Sequence, residues 1–413
     1  MPYLGMNKNH PSSKEDRLQK NELVLLALLA IVQFTHIIDF MIVMPLGAQF
    51  MDIFEINPQQ FSLIVTSYAL AAFVSGLLSA LFIDRFDRKK ALFWLYVGFT
   101  IGTLACSFTE SYTFFLSARM LTGAFGGVLG ALVLSIVGDA IPLVRRGRAM
   151  GIIMTAFSVA SVVGVPAGLY LAAHFKWNTP FLVTGLLSAV FCVAILIFMP
   201  SMTKHINQTT EKPRVFQAYA NILKDNNQLR ALLFNVILML GHFTIIPFIA
   251  PYMQINIGFS EYQITYIYLC GGILTVFLLP YFGKLADRYG YTRVFTISSI
   301  AALFSIFAIT NLPVVAIPIA LIATSSFFVV ASGRNVPALT LVTSVVKPEN
   351  RGSFMSVRNS INEAALAASS FIAGLIVTED ANGQLEHYNY VGYIAIAMSI
   401  LAILLARKIK VVN

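Results

Sequence analysis

Six ionisable side chains lie inside long apolar runs, where water cannot reach them unless the fold provides a route: His36, Asp39, Arg119, His242, Arg334 and Glu363. An ionisable group facing lipid is costly, so each is expected to face a cavity or a partner. His36 and Asp39 are three residues apart and share one helix face. Asn359 and Glu363 are four apart, so the amide can orient the acid or contact a solute, with Asn362 beside them. Desolvation favours the neutral form of an acid and a nearby cation favours the charged form, and competition between the two is what a proton-driven switch requires. Asp39 and Glu363 are therefore candidate proton carriers, with His36 and His242 as the partners that tune them. Gln33, Asn235, Arg334, Asn359 and Asn362 are candidate lining of the same cavity. Arg119 has two readings, a charge partner for Asp39 or an anchor for an anionic solute. Arg358 lies close enough to the start of its run to reach the surface.

The elements that must hold these groups follow from composition. Of 413 residues, 57% are hydrophobic and 11% charged, against about 25% charged in soluble domains. A soluble globule has no interior large enough for that apolar surface. A membrane-spanning helix needs about 20 apolar residues, and twelve such stretches are expected. They begin near Val24, Pro58, Ala91, Tyr112, Ala149 and Pro180, then near Leu229, Ser260, Val294, Val314, Phe354 and Tyr388. Their continuous rather than alternating hydrophobicity selects helices over a barrel.

The basic residues orient the chain. Of the 28 Lys and Arg, all but four fall in the two tails and the even-numbered loops. The four are Lys176, on the other side, and Arg119, Arg334 and Arg358 within spans. This bias predicts both termini in the cytoplasm and accounts for the net charge of +9 without a nucleic-acid partner. The polar N-terminus is expected to be a cytosolic tail rather than a signal peptide. Cys106, Cys192 and Cys270 all sit in apolar runs, which supports neither a disulfide framework nor a metal site.

The longest polar stretch divides the chain in two. The expected organisation is a tail over 1–23, a six-helix bundle over 24–200, a linker over 201–228, a second bundle over 229–406 and a tail over 407–413. The halves repeat at an offset of 203. Asp84-Arg85-Phe86 recurs as Asp287-Arg288-Tyr289, and Asn57 and Gln60 as Ser260 and Gln263, each pair a helix N-cap with a side chain reaching back from the third position. Arg146-Gly147 and Met150 recur as Arg351-Gly352 and Met355, and Asp39 lands on His242. Transporters built from repeats place their sites near the midplane between the halves.

From span one to span twelve the chain resembles the major facilitator superfamily. That family's loop signature, Gly-x-x-x-Asp-Arg-x-Gly-Arg-Lys/Arg, stands here as Ala80 to Lys89 and again as Gly283 to Arg293. Ala80 and Asp87 replace two glycines in the first copy. Arg119-Met120-Leu121-Thr122-Gly123 is similar to a span-four signature of proton-coupled exporters. Gly164-Val165-Pro166-Ala167-Gly168 is similar to the antiporter motif, without its paired glycines. Within the superfamily the chain is most similar to the twelve-span drug/proton antiporters and sugar-efflux permeases. The resemblance implies an all-α fold of two pseudo-symmetric bundles rocking about a central site.

Asp84 and Asp287 stand where a helix meets the surface, and a helix N-terminus, with free N–H groups and partial positive charge, is a fitting partner for an acid. The expectation is a latch between bundles. Asp84 would cap span eleven near Gly352 to Met355 and Asp287 span five near Gly147 to Met150, with small residues at Ala80 and Gly283 allowing close approach. Arg88 and Arg293 would pair locally with the acids, and Arg85 and Arg288 belong to the same repeated loop. Gly164 and Gly168 put two small residues on one face around Pro166, giving either a leak-resisting bend at the bundle interface or close packing.

These features point to a secondary transporter in a bacterial inner membrane, expected to be monomeric. It would use a proton gradient and no cofactor to export small hydrophobic, amphipathic or sugar-like solutes. An uptake symporter, or a receptor that keeps the fold, are the competing readings. No phosphate-binding glycine loop, His-Glu-x-x-His or cysteine-ligand pair is present, so ATP-driven transport and metalloenzyme chemistry have no support.

Overall fold

The computed structural model describes residues 18–79, 81–203, 206, 222, 224–346 and 351–410. Each half opens with a helix that breaks once. Helix α1 (Lys20–Met41) gives way at 42–46 to α2 (Gly47–Ile53), and α9 (Asn226–Phe243) gives way at 244–245 to α10 (Ile246–Ile255). Pro45 and Pro247 lie at these breaks, where a missing N–H and a bulky ring end the preceding helix.

In the first half follow α3 (Pro58–Ser79), α4 (Arg88–Ser107), α5 (Tyr112–Ala140), α6 (Leu143–Val159), α7 (Val165–His174) and α8 (Thr179–Phe198). The second half continues with α11 (Glu261–Tyr289), α12 (Tyr291–Thr310), α13 (Ile317–Thr343), α14 (Arg351–Ile376) and α15 (Tyr388–Ala406). A two-residue hairpin, β1 (Thr378–Glu379) against β2 (Leu385–Glu386), precedes α15. Both repeated caps form: Gln60 N–H donates to Asn57 Oδ1 at 2.8 Å, and Ser260 N–H to Gln263 Oε1 at 2.8 Å.

Eleven crossings among the described residues are long and apolar enough to span a membrane. The twelfth is α14, 26 residues long, whose hydropathy is lowered by Arg358, Asn359, Asn362 and Glu363. The fold is therefore the expected all-α membrane architecture of two six-helix bundles.

The bundles meet along exchanged seams. The second helix of the first half, α3, packs on α14, and its counterpart α11 packs on α7 and the preceding turn. One apolar cluster crosses the boundary at the end opposite the basic loops, joining Phe50, Phe61 and Phe181 to Phe248, Met253 and Ala373. There Phe61 and Phe248 meet edge to face, 5.6 Å apart. Toward the basic end the core divides: one cluster around Phe99 and Ile136 belongs to the first bundle, another around Phe234 and Leu341 to the second. The molecule is closed at the far end and parted at the basic end.

Candidate functional site

The first bundle buries an ion pair. Asp39, on the last turn of α1, accepts from Arg119 Nη1 at 2.7 Å and from the Thr103 hydroxyl at 3.0 Å. Both charged side chains are at most 1% exposed. A buried pair is expensive to break, because either partner alone is an uncompensated charge. The Arg119 guanidinium also lies 4.5 Å from the ring centre of Tyr68 on α3. Tyr68 is held there by glycines of α5: a Cβ at Gly123 would collide with the Tyr68 backbone, and one at Gly127 would come 2.5 Å from Ala72 Cα. His36, edge-on to Phe99 at 6.0 Å, is within electrostatic reach of both Asp39 and Arg119. Its Nδ1, the Tyr68 hydroxyl, Gln33 Oε1 and Arg119 Nε are buried with no partner among the described residues.

The second bundle answers differently. His242 occupies the position that the 203-residue offset pairs with Asp39, and it too faces an arginine of its bundle's fourth helix, Arg334 of α13. Arg334 has no exposed surface, and among the described residues its one hydrogen bond runs from Nη1 to Ser399 Oγ, 2.9 Å. His242 lies parallel to Phe327, centroids 6.2 Å apart. Nearer the basic end, Arg358 donates from Nε to Asn235 Oδ1 at 3.0 Å, and the Asn235 amide donates to Asn362. Arg358 thus leans onto α9 while staying partly exposed, as its place near the start of α14 allows. Its partners here are amides, and Asn359, also touched by Arg358, is exposed.

Glu363 links the two halves. It is half-buried on α14, and among the described residues its carboxylate has no hydrogen bond or ion pair. Across the seam is Tyr68, within electrostatic reach of Glu363 on one side and of Asp39 and Arg119 on the other. The order Asp39, Arg119, Tyr68, Glu363 therefore crosses from one bundle to the other. Nothing in the sequence marks out Tyr68 or Thr103. A tyrosine and a threonine in an apolar run look ordinary, and the only hint is that Gly123 in the span-four motif implies something packed closely on it.

Among the described residues the expected latch is not formed. Asp84 pairs with Arg88 at 2.8 Å, and Arg88 also binds Asp139 at 2.8 Å, so the loop is tied to its own bundle. Asp287 accepts from the Tyr291 hydroxyl at 3.0 Å rather than from Arg293, and Arg288 lies over the ring of Tyr289. Arg85 and Arg293 are exposed. Gly147 faces open space, and a Cβ at Gly283 would meet only Val336 of its own bundle, at 3.9 Å. The open space around Gly147 shows that the start of α6 is not packed against the Asp287 loop. Ala80 and the side chains of 351–353 lie outside the described residues.

The glycine motif shows both features expected of it, close packing and a bend, at different residues. Cβ atoms at Gly164 and Gly168 would meet Ile38 and Ile42 of α1, at 2.9 and 2.8 Å, so these glycines pack within their own bundle. The bend itself is present as a π turn over Ala160–Gly164, where Pro166 lacks the N–H that would bond back to 162. That turn, not the glycines, faces the other bundle: Gly272 of α11 sits against Ser161 and Val162.

Comparison with known proteins agrees with this architecture. The family model of the Major Facilitator Superfamily matches residues 29–243 and 231–412, so the chain belongs to that superfamily of membrane transporters. It is 24% identical over 416 residues to the uncharacterized MFS-type transporter YwfA of Bacillus subtilis (strain 168), covering 97% of this chain and 95% of that one. It is 25% identical over 321 residues to YtbD of the same organism, covering 76% and 78%. Among solved structures, a bacterial homologue of the human lysosomal transporter Spinster, inward-facing and unoccupied, superposes with a TM-score of 0.72 at 14% identity, covering 96% of this chain and all (100%) of that one. The nucleoside transporter NupG (D323A mutant) gives 0.75 at 13%, covering 94% and 100%.

Proposed function

We propose that the protein is a proton-coupled exporter of small hydrophobic, amphipathic or sugar-like solutes, working by alternating access. It would sit in a bacterial inner membrane as a monomer, with both termini in the cytoplasm. The observation that carries the reading is the line from Asp39 and Arg119 through Tyr68 to Glu363. Protonation of Glu363 removes a charge at the seam between bundles, and Tyr68 conveys that change to the buried pair that Arg119 makes. The seam is where rocking must occur, because α3 and α14 belong to different bundles. A charge that comes and goes there can bias one packing over the other.

The test is purified protein in liposomes with an imposed proton gradient, given a panel of amphipathic and sugar solutes. Solute-dependent proton flux with opposite solute movement supports the proposal. It should fall to background in Glu363→Gln and Asp39→Asn and be strongly slowed in Tyr68→Phe. Parallel movement of proton and solute would establish uptake symport instead, and wild-type flux in Glu363→Gln would overturn the role given to that acid.

A further inference from the structure

We infer that Arg334 is the receptor for an anionic group on the transported solute, so that the natural cargo is an amphipathic organic acid. The inference rests on the transport reading above and adds the charge class of the cargo. Each bundle sets an arginine of its fourth helix against the residue that the repeat pairs, 39 or 242. In the first bundle that residue is a carboxylate and the guanidinium is neutralised at 2.7 Å. In the second it is an imidazole, which cannot neutralise a cation. The arginines stand on different turns, since 119 plus 203 is 322 and not 334, so the second bundle has placed its cation independently.

Arg334 is fully buried, yet its Nε and Nη2 have no acceptor among the described residues, and the acceptor it has is a neutral hydroxyl, Ser399. His242 Nδ1 beside it is likewise buried and unpartnered among the described residues. Two N–H groups of a planar fork without acceptors match the two oxygens of a carboxylate. A charge in this position is costly to keep, and a transporter retains it where a ligand completes it. The surroundings specify the rest of the ligand. Phe327 lies flat beside His242, Phe328 follows it, and the Phe282 ring closes over Gly333, where a Cβ would come 2.5 Å from it. An acid group on an apolar or aromatic body fits such walls. Arg334 is sealed from solvent in this structure, so the acid reaches it only in another conformation of the transport cycle.

The experiment is equilibrium binding to full-length protein in nanodiscs of zwitterionic lipid, corrected with protein-free nanodiscs. The probe is dansylaminoundecanoate, a fluorescent amphipathic carboxylate, with its methyl ester as the neutral control. Wild type should bind the acid at least about tenfold tighter than the ester. Arg334→Gln should bind both alike. His242→Asp, which places a carboxylate opposite Arg334 as in the first bundle, should lose the preference while remaining folded, so the test survives if Arg334→Gln does not fold. Equal binding of acid and ester by wild type, or an undiminished preference in His242→Asp, would overturn the inference. Full displacement of the acid by sodium chloride at matched concentration would do the same, by identifying an inorganic ion as occupant. Binding requires no proton gradient, so a failed flux assay with a preserved acid preference would sink the coupling and leave this site standing.

Discussion

The two bundles are built on one plan and treat the same problem in opposite ways. In the first, a buried arginine meets a buried carboxylate and the charges cancel. In the second, a buried arginine meets an imidazole and a hydroxyl, and the charge persists. The difference teaches that the repeat conserves backbone and helix breaks, while the interior polar groups have been free to diverge. One bundle neutralises its buried cation from within; the other leaves its cation to be completed by something that is not part of the chain.

Thermodynamics can break or sharpen that contrast. The largest effect should come from Arg119→Leu, which strands Asp39 as a lone buried charge and should cost about 3–5 kcal/mol. The double variant with Asp39→Asn should recover most of it. Thermal unfolding in nanodiscs reads both. Arg334→Met should move the other way without solute, gaining about 1–3 kcal/mol as unsatisfied donors are removed. A loss as large as that of Arg119→Leu would mean that Arg334 is paired after all, and the contrast between bundles would dissolve.

The seam offers the next test. Gly374 of α14 lies against Ser62 of α3, where a Cβ would collide with the serine side chain. Gly374→Val should cost about 1–3 kcal/mol by overpacking and bias the protein toward a parted far end. Pulsed spin-label distances between positions Asp52 and Asn382 should lengthen; unchanged distances would remove this contact from the closing mechanism.

The smallest effects concern the repeated loop, where Asp87 and Gly290 correspond at the same offset. Asp87 caps α4 and also accepts from the Ser201 hydroxyl at 2.7 Å and Met202 N–H at 2.8 Å. Burial pushes its carboxyl up, but these bonds, that from Lys89 N–H and the charge of Lys90 outweigh it and hold the carboxyl below its usual value. Its stabilising contribution is therefore complete above the ordinary unfolded value of about 3.9 and is lost as pH falls through the lower folded value. Wild type should therefore be more stable than Asp87→Asn at neutral pH, with the two converging below about pH 4, and Asp87→Ala should cost about 1 kcal/mol at neutral pH. Gly290 stands at φ 90°, so Gly290→Ala should cost about 1–2 kcal/mol through backbone strain. Denaturant midpoints distinguish these from no effect.

Much of the fold was legible because bilayer thickness and backbone hydrogen bonding leave a chain this apolar few choices. The caps at Asn57 and Ser260 were readable for a similar reason: both partners lie within three residues. Of the site, the charged members stood out because charge inside an apolar run is conspicuous. Tyr68, Thr103 and Ser399 did not, since each becomes polar machinery only through a residue tens of positions away in sequence. The latch is a contact between bundles, and no local pattern in the sequence can place such a contact.

Order and composition alone settled twelve crossings, the duplication and which residues carry charge into the interior, because those depend on local hydrophobicity and on counting. Tertiary packing alone decided that Arg119 has a carboxylate and that Arg334, among the described residues, has none. It also brought Glu363 within electrostatic reach of Tyr68 across the seam, and decided at which end the bundles part. Each of those is a distance between segments remote in sequence, set by helix packing within each bundle and by α3 and α11 packing across to the other.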